Sequence, residues 1–352
     1  MTLNYLDFAV LSLRRSFGAI ALAVGFLSVA STHAGIIDWV TVGDPGNAAD
    51  TTGYGAVADS FRIMKYEFTN QQYTDFLNSV ASTDPYSLYD PGMQLYAPGG
   101  IVQSGQSGSY TYSVRPNMGD KPVNYVSWFT AARVANWLHN GATSSSSTET
   151  GAYTLNGATS GNAPGVNPGA MFYIPPETQW YKAAYYKGGS TNAGYWTFAT
   201  QSNSTPTAVS ADSSGNGSAG STGNFANVAR GATWNGKTGI QTTVGTNGGA
   251  SAYGAFDMTG NLFEFNSLTG TGGSHVGARG GDWFYSDVNR FASKNYRETS
   301  TAVNGTNDSY GFRLASPVIA PVPEIDPAGM GSVLALVTST LALIERRRLK
   351  VA

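Results

Sequence analysis

The segment Tyr253-Gly254-Ala255-Phe256-Asp257-Met258-Thr259-Gly260-Asn261-Leu262-Phe263-Glu264-Phe265 gathers two carboxylates, two glycines and four aromatic rings into one short stretch. Asp257 and Glu264 stand seven residues apart, with Gly254 and Gly260 free to turn the backbone between and before them. A loop of this kind can aim both carboxylates and some intervening carbonyls at one point, the oxygen cage that a hard cation such as Ca²⁺ takes. The alternative is a glycine turn whose carboxylates accept from nearby backbone N–H groups.

Other chemistry is scarce. The chain has no cysteine and three histidines, His33, His139 and His275. A site of two histidines and a carboxylate would need His139 and His275, which belong to different motifs. No Ser/His/Asp set is present, and Gly270-Thr271-Gly272-Gly273 lacks the strand–loop–Lys context of a phosphate loop.

Composition narrows the classes further. In 352 residues, charged side chains make up 12%, about half the usual share. A net charge of −2 with no basic stripe argues against nucleic acid. A chain of this length buries enough core to do without disulfides.

The elements that must position the carboxylates read from local signals. Thr69-Asn70-Gln71-Gln72 forms a capping box, and Tyr73, Phe76, Leu77 and Val80 follow at helical spacing, which predicts a helix over 70–80. Ser127 caps a second helix over 128–139, closed by Gly141. A third runs over 176–187, with Pro176 in its first turn and Gly188-Gly189 as its stop. Alternating segments at 61–66, 170–174, 275–279 and 310–315 suit strands. The Gly/Ser/Asn/Thr-rich stretches 144–169 and 202–223 read as mobile insertions, and the whole as α+β.

Both ends carry signals of another kind. Arg14-Arg15 precede an apolar run over 17–29, and Thr32-His33-Ala34 offers small residues around a cleavage point, the pattern of a signal peptide over 1–34. Arg14-Arg15-Ser16-Phe17 resembles part of a twin-arginine signal. At the other end Val322-Pro323-Glu324-Ile325, an apolar stretch 328–344 and Arg346-Arg347-Arg348 resemble the bacterial PEP-CTERM sorting tail. Here Ile325 stands where that motif has its second proline. The stretch is at the short limit for a transmembrane helix. The resemblance implies an exosortase-like partner, transient membrane insertion through the C-terminal helix, and a surface or extracellular destination; a permanent anchor is the alternative.

Six ordered stretches resemble the formylglycine-generating enzyme, or sulfatase-modifying factor, family. Arg62-Ile63-Met64-Lys65-Tyr66-Glu67-Phe68-Thr69-Asn70-Gln71-Gln72-Tyr73 is similar to its opening motif. Lys121-Pro122-Val123-Asn124-Tyr125-Val126-Ser127-Trp128 with Asn136-Trp137-Leu138, and Tyr173-Ile174-Pro175-Pro176-Glu177-Thr178-Gln179-Trp180-Tyr181, follow in order. The segment 253–265 resembles the family fingerprint, and Arg279-Gly280-Gly281-Asp282-Trp283 and Gly311-Phe312-Arg313 resemble its last two motifs. The resemblance implies a C-type-lectin-like fold of long loops over 35–316, with 317–352 as linker and tail. It assigns one structural Ca²⁺ to Asp257, Glu264 and the carbonyls of Gly260 and Leu262. A second calcium is less well supported, because Asn227-Val228 match but the expected carboxylate is replaced around Gly236-Lys237-Thr238. Arg279, Trp283 and Arg313 would frame a groove, or else serve the core.

The family's copper is held by two cysteines between the last two motifs, and this chain has none there, so copper is not expected and no catalytic residue is assigned. The leading expectation is a non-catalytic binding or structural module for an extracellular protein or polysaccharide. The alternative is an enzyme of cysteine-independent chemistry acting on an exported substrate.

Overall fold

The computed structural model describes residues 37–268 and 272–318; the expected signal segment, the Pro-Glu motif and the stretch 328–344 lie outside them. The chain begins with β1 (Trp39–Val42) and β2 (Phe61–Met64), then α1 (Asn70–Val80), α2 (Gly92–Leu95) and the hairpin β3 (Ile101–Ser104) and β4 (Thr111–Val114). Helix α3 (Trp128–His139), β5 (Ala163–Pro164) and α4 (Glu177–Tyr185) follow. Four two-residue strands come next: β6 (Thr207–Ala208), β7 (Phe225–Ala226), β8 (Thr233–Trp234) and β9 (Lys237–Thr238). The last third holds β10 (Phe263–Asn266), β11 (Gly272–Gly273), β12 (His275–Arg279), α5 (Val288–Phe291), β13 (Glu298–Ala302), β14 (Tyr310–Gly311) and β15 (Ala315–Pro317).

The sheets are small and open. One has the order β13-β12-β10-β14, a second β1-β2-β15, and four pairs complete the set. Strand β10 runs antiparallel to β12 with Glu264 opposite Arg279, and parallel to β14 with Glu264 opposite Gly311. Few helices and several short sheets make this a mixed α+β fold.

Local signals build the helices. The Thr69 side chain accepts from Gln72 N at 3.3 Å, and the Gln72 side chain accepts from Thr69 N at 3.0 Å, so two otherwise orphaned donors are satisfied. Ser127 Oγ accepts from Thr130 N at the start of α3. Helix α4 is shorter than its spacing predicts, ending at Tyr185, and starts after Pro176. Segment 170–174 contributes only a bridge, Tyr173 to Ala315, and 310–315 divides between two sheets.

One apolar cluster surrounds α1 and α3, centred on Phe76, Trp128, Phe129 and Tyr153; another joins α4 to β1 and β2 through Trp180, Tyr181 and Ile63. The 144–169 stretch is tied down rather than merely looped out. Glu149 pairs with Arg133 at 2.7 Å, and Tyr153 Oη accepts from Ile174 N at 2.9 Å.

The expectation of a transmembrane helix is corrected here, and with it membrane partnership and transient membrane insertion. Among the described residues no helix is long and apolar enough to cross a membrane. The longest described helix, α3, has 12 residues, about 18 Å of rise against roughly 30 Å of hydrocarbon.

The capping box makes a local prediction. Replacing Thr69 by Ala should lower stability by about 1 kcal/mol, read from urea unfolding midpoints. A change within a few tenths of a kcal/mol would show that tertiary packing alone holds the start of α1.

Candidate functional site

Helix α4 delivers two side chains to the middle of the β13-β12-β10-β14 sheet. Glu177 and Trp180 are three residues apart and so share a helix face. Trp180 Nε1 donates to Glu264 Oε2 at 2.7 Å, and Glu177 Oε1 accepts from Arg279 Nε at 2.7 Å. Their partners Glu264 and Arg279 are directly opposite across β10 and β12.

Glu264 is fully buried and bound in a fork by Arg313, Nε to Oε2 at 2.5 Å and Nη2 to Oε1 at 2.6 Å. The guanidinium spends its remaining three donors on Met64 O at 3.0 Å, Lys65 O at 3.3 Å and Phe256 O at 2.7 Å. Burial is the largest single effect and works to lower the Arg313 pKa, but the charge and hydrogen bonds of Glu264, joined by the charges of Glu67 and Asp257, together turn the net shift upward.

Asp257 sits in left-handed backbone at φ 58°. Its Oδ2 accepts from Gly245 N at 2.5 Å and its Oδ1 from Asn247 Nδ2 at 2.8 Å. Burial raises its pKa despite those bonds. Gly260 N donates to Gly280 O, and a Cβ on Gly260 would stand 2.4 Å from Asn227 O, so only glycine fits that approach. Leu262 N donates to Glu67 Oε1 at 3.1 Å.

These residues share one segment, but as arranged they do not fit a calcium ion. The Asp257 oxygens face N–H donors, and those of Glu264 face a guanidinium and an indole N–H. Three of the Glu264 lone pairs are taken in this way and each Asp257 oxygen accepts one bond, which leaves fewer free oxygen sites than a calcium ion gathers. Among the described residues no group of three or more His, Asp or Glu is placed to hold a metal. Asn227 likewise turns its amide N–H to Ile240 O at 2.9 Å, and His139 Nδ1 accepts from Met171 N at 3.1 Å.

Sequence reasoning left Glu67 without a role, although it stands in the opening motif. It is fully buried and accepts from Asn261 Nδ2 at 2.6 Å as well as from Leu262 N. Burial, then the charges of Asp257 and Glu264, push its carboxyl well above the ordinary range, against the opposing pull of Arg313 and Asn261. Three carboxylates share one guanidinium, and holding a proton on Glu67 relieves the excess.

The three expected groove residues separate. Arg279 is 1% exposed; beyond Glu177 it donates to Lys294 O at 3.0 Å and Tyr296 O at 2.7 Å, and Arg297 binds the other Glu177 oxygen. Arg279 and Arg313 are therefore clamps inside the fold. Trp283 instead lines a cavity of about 330 Å³, together with Arg230, Lys237, Phe284, Tyr285 and Asp308. Lys237 Nζ lies 4.7 Å from the Trp283 ring centroid and 3.6 Å from Asp308, while the Arg230 guanidinium stands 3.8 Å from the Phe284 ring. Asp282 shapes the turn beneath, accepting from Phe284 N at 3.1 Å and Tyr285 N at 3.3 Å, and burial raises its pKa. Phe284 and Tyr285 are each 39% exposed. Of this surface the sequence singled out only Trp283; the aromatic run that continues through Phe284 and Tyr285 could have pointed to it, whereas Arg230 and Lys237 carry no such signal.

A family model described as the sulfatase-modifying factor enzyme 1-like domain matches residues 41–318. No curated protein matches the chain significantly. Among solved structures, the chain is similar to the crystal structure of CarF, at 20% identity and TM-score 0.48, covering 81% of this chain and 99% of that one. It is similar to Treponema denticola variable protein 1 at 16% identity and TM-score 0.48, covering 79% and 94%. It is also similar to PvdO from Pseudomonas aeruginosa at 16% identity and TM-score 0.39, covering 80% and 92%.

The raised Glu67 pKa has a stability consequence with a defined sign. The folded state holds the Glu67 proton more tightly than the unfolded chain, so this contribution is complete below the ordinary glutamate value of 4.5 and is lost as pH rises through the folded pKa. Between about pH 5 and pH 8 the melting temperature should therefore fall, and Glu67→Gln should make that fall shallower whatever its absolute stability. Parallel melting curves for the two proteins across that range would sink the assignment.

Proposed function

Because the chain belongs to the sulfatase-modifying factor enzyme 1-like family, we propose that it is a non-catalytic member that binds a partner protein through the Trp283 cavity. The cysteine-dependent oxidation of the formylglycine-generating enzyme is closed to this chain, which has no thiol to hold Cu(I) or to relay oxidation.

One contrast carries the binding reading. Arg279 and Arg313 are spent on buried ion pairs, whereas the aromatic and cationic side chains around Trp283 border open space. Aromatic and arginine side chains of this kind are the usual anchors of a protein interface. Arg230 and Lys237 outnumber the single Asp308, which favours a segment carrying a carboxylate beside an apolar side chain. Family membership also supports reading the fold as C-type-lectin-like over 35–316; the Arg14-Arg15 and apolar run before it, and the Pro323-Glu324 motif and arginine cluster after it, support a signal segment 1–34 and a sorting tail 317–352.

Two measurements test this. Incubated with copper and a cysteine-containing sulfatase peptide, the purified protein should leave the cysteine intact; aldehyde detected by mass spectrometry would refute the loss of family chemistry. In a peptide array of acidic–aromatic sequences, the best binder should lose at least about tenfold in affinity on Lys237→Glu and on Tyr285→Ala. Binding that ignores both changes would remove the Trp283 cavity from the function.

A further inference from the structure

A second, larger cavity of about 550 Å³ opens beside the 82–91 loop, walled by that loop, the start of α3, β3 and the turn at 304–306. Its volume falls within the roughly 300–1,000 Å³ of small-molecule sites. It plays no role in the binding surface at Trp283, and none of its lining residues belongs to that cavity.

The lining is polar and carries no Lys, Arg or His among the described residues. Two carboxylates belong to it, and both are pinned by neutral donors. Asp84 accepts from Leu88 N at 2.7 Å and Tyr89 N at 3.0 Å; Asp90 accepts from Gly92 N at 2.7 Å and Thr306 Oγ1 at 2.7 Å. Among the described residues no third carboxylate or histidine joins these two to make a cation site, and two carboxylates with no cation in the lining repel an anion.

Other groups are held in place yet keep bonding capacity. The Tyr86 ring lies 4.3 Å from the Arg133 guanidinium, which Glu149 fixes through two bonds at 2.7 and 3.0 Å. Tyr112 Oη spends its one proton on Ala81 O, so Gln103 must turn its N–H₂ to that hydroxyl, at 3.1 Å. The Gln103 amide oxygen is thereby left as an oriented acceptor. The Tyr86 and Tyr110 hydroxyls and the Asn304 amide have no hydrogen-bond partner among the described residues. Asp84 and Ser87 hold the loop in left-handed backbone, at φ 45° and 52°, a conformation that costs free energy and persists where the surroundings enforce it.

Rigid aromatic rings, an amide acceptor, an amide donor–acceptor and hydroxyls, without a cation, match a ligand that is neutral, polyhydroxylated and apolar on its C–H faces. We propose that this cavity binds a neutral oligosaccharide, with ring C–H faces against Tyr86 and Tyr110 and hydroxyls on Gln103 and Asn304.

The test uses the purified chain and neutral trisaccharides of glucose, mannose and N-acetylglucosamine, followed by saturation-transfer NMR. At least one should bind with Kd below about 1 mM, and a glucuronate-bearing analogue about tenfold more weakly. Tyr86→Ala and Gln103→Ala should each weaken binding about tenfold while the melting temperature of Gln103→Ala stays near wild type. The proposal is overturned if no trisaccharide binds, if the anionic analogue binds as well, or if Gln103→Ala leaves affinity unchanged. It is equally overturned if Lys237→Ala abolishes binding, which would place the sugar at the Trp283 cavity.

Discussion

A guanidinium and a carboxylate, both shut away from water, hold the described fold together. Arg313 grips Glu264 in a fork and also binds the carbonyls of Met64 and Phe256, so one side chain near the end of the domain ties β10, the end of β2 and the 256 turn. The Trp180 indole adds α4 to the same carboxylate. Neither charge has solvent to fall back on, and losing one partner would leave the other buried and uncompensated, at a cost of about 3–5 kcal/mol. Its neighbours conform to it. A Cβ on Gly311 would stand 2.8 Å from both Val123 O and Leu262 Cδ1, so glycine lets β14 lie against β10 beside the pair.

A second buried pair repeats the device one strand away, where Glu177 is shared by Arg279 and Arg297. A chain with few charges thus places several of them inside, and Arg133, Glu177, Glu264, Arg279 and Arg313 each have an ion-pair partner. The exception is the excess of carboxylate around Arg313. Glu67 and Asp257 crowd that single guanidinium; Glu67 relieves the excess by keeping its proton more tightly, and backbone and amide N–H groups hold the Asp257 oxygens. Where a metal ion was expected to gather oxygens, proton donors do that work.

Family scaffold and family chemistry have therefore come apart. The motif residues are occupied in holding strands and loops, and the oxidation has no thiol to run on. Among the surfaces open to solvent is one of a different kind, built by the aromatic run after Asp282 and by two cations that arrive from the β7–β9 region.

Contacts between near neighbours in the chain were legible without coordinates. The Thr69–Gln72 box, the Ser127 cap and the alternation over 275–279 each depend on residues a few positions apart, and α1, α3 and β12 follow them closely. The fingerprint motifs identified the family, and the missing cysteines excluded its oxidation. Strand β10 was hidden because all four of its residues are buried, which erases the alternation that marks a half-exposed strand. The roles of the charged residues were hidden too. Glu264 meets Arg313 49 positions away, Glu177 meets Arg279 at 102, and Asn261 reaches Glu67 across 194. Sequence spacing could bring Asp257 and Glu264 into one segment. Whether their oxygens face a cation or a proton donor was decided by tertiary structure alone, because the donors come from parts of the chain that only folding brings within 3 Å.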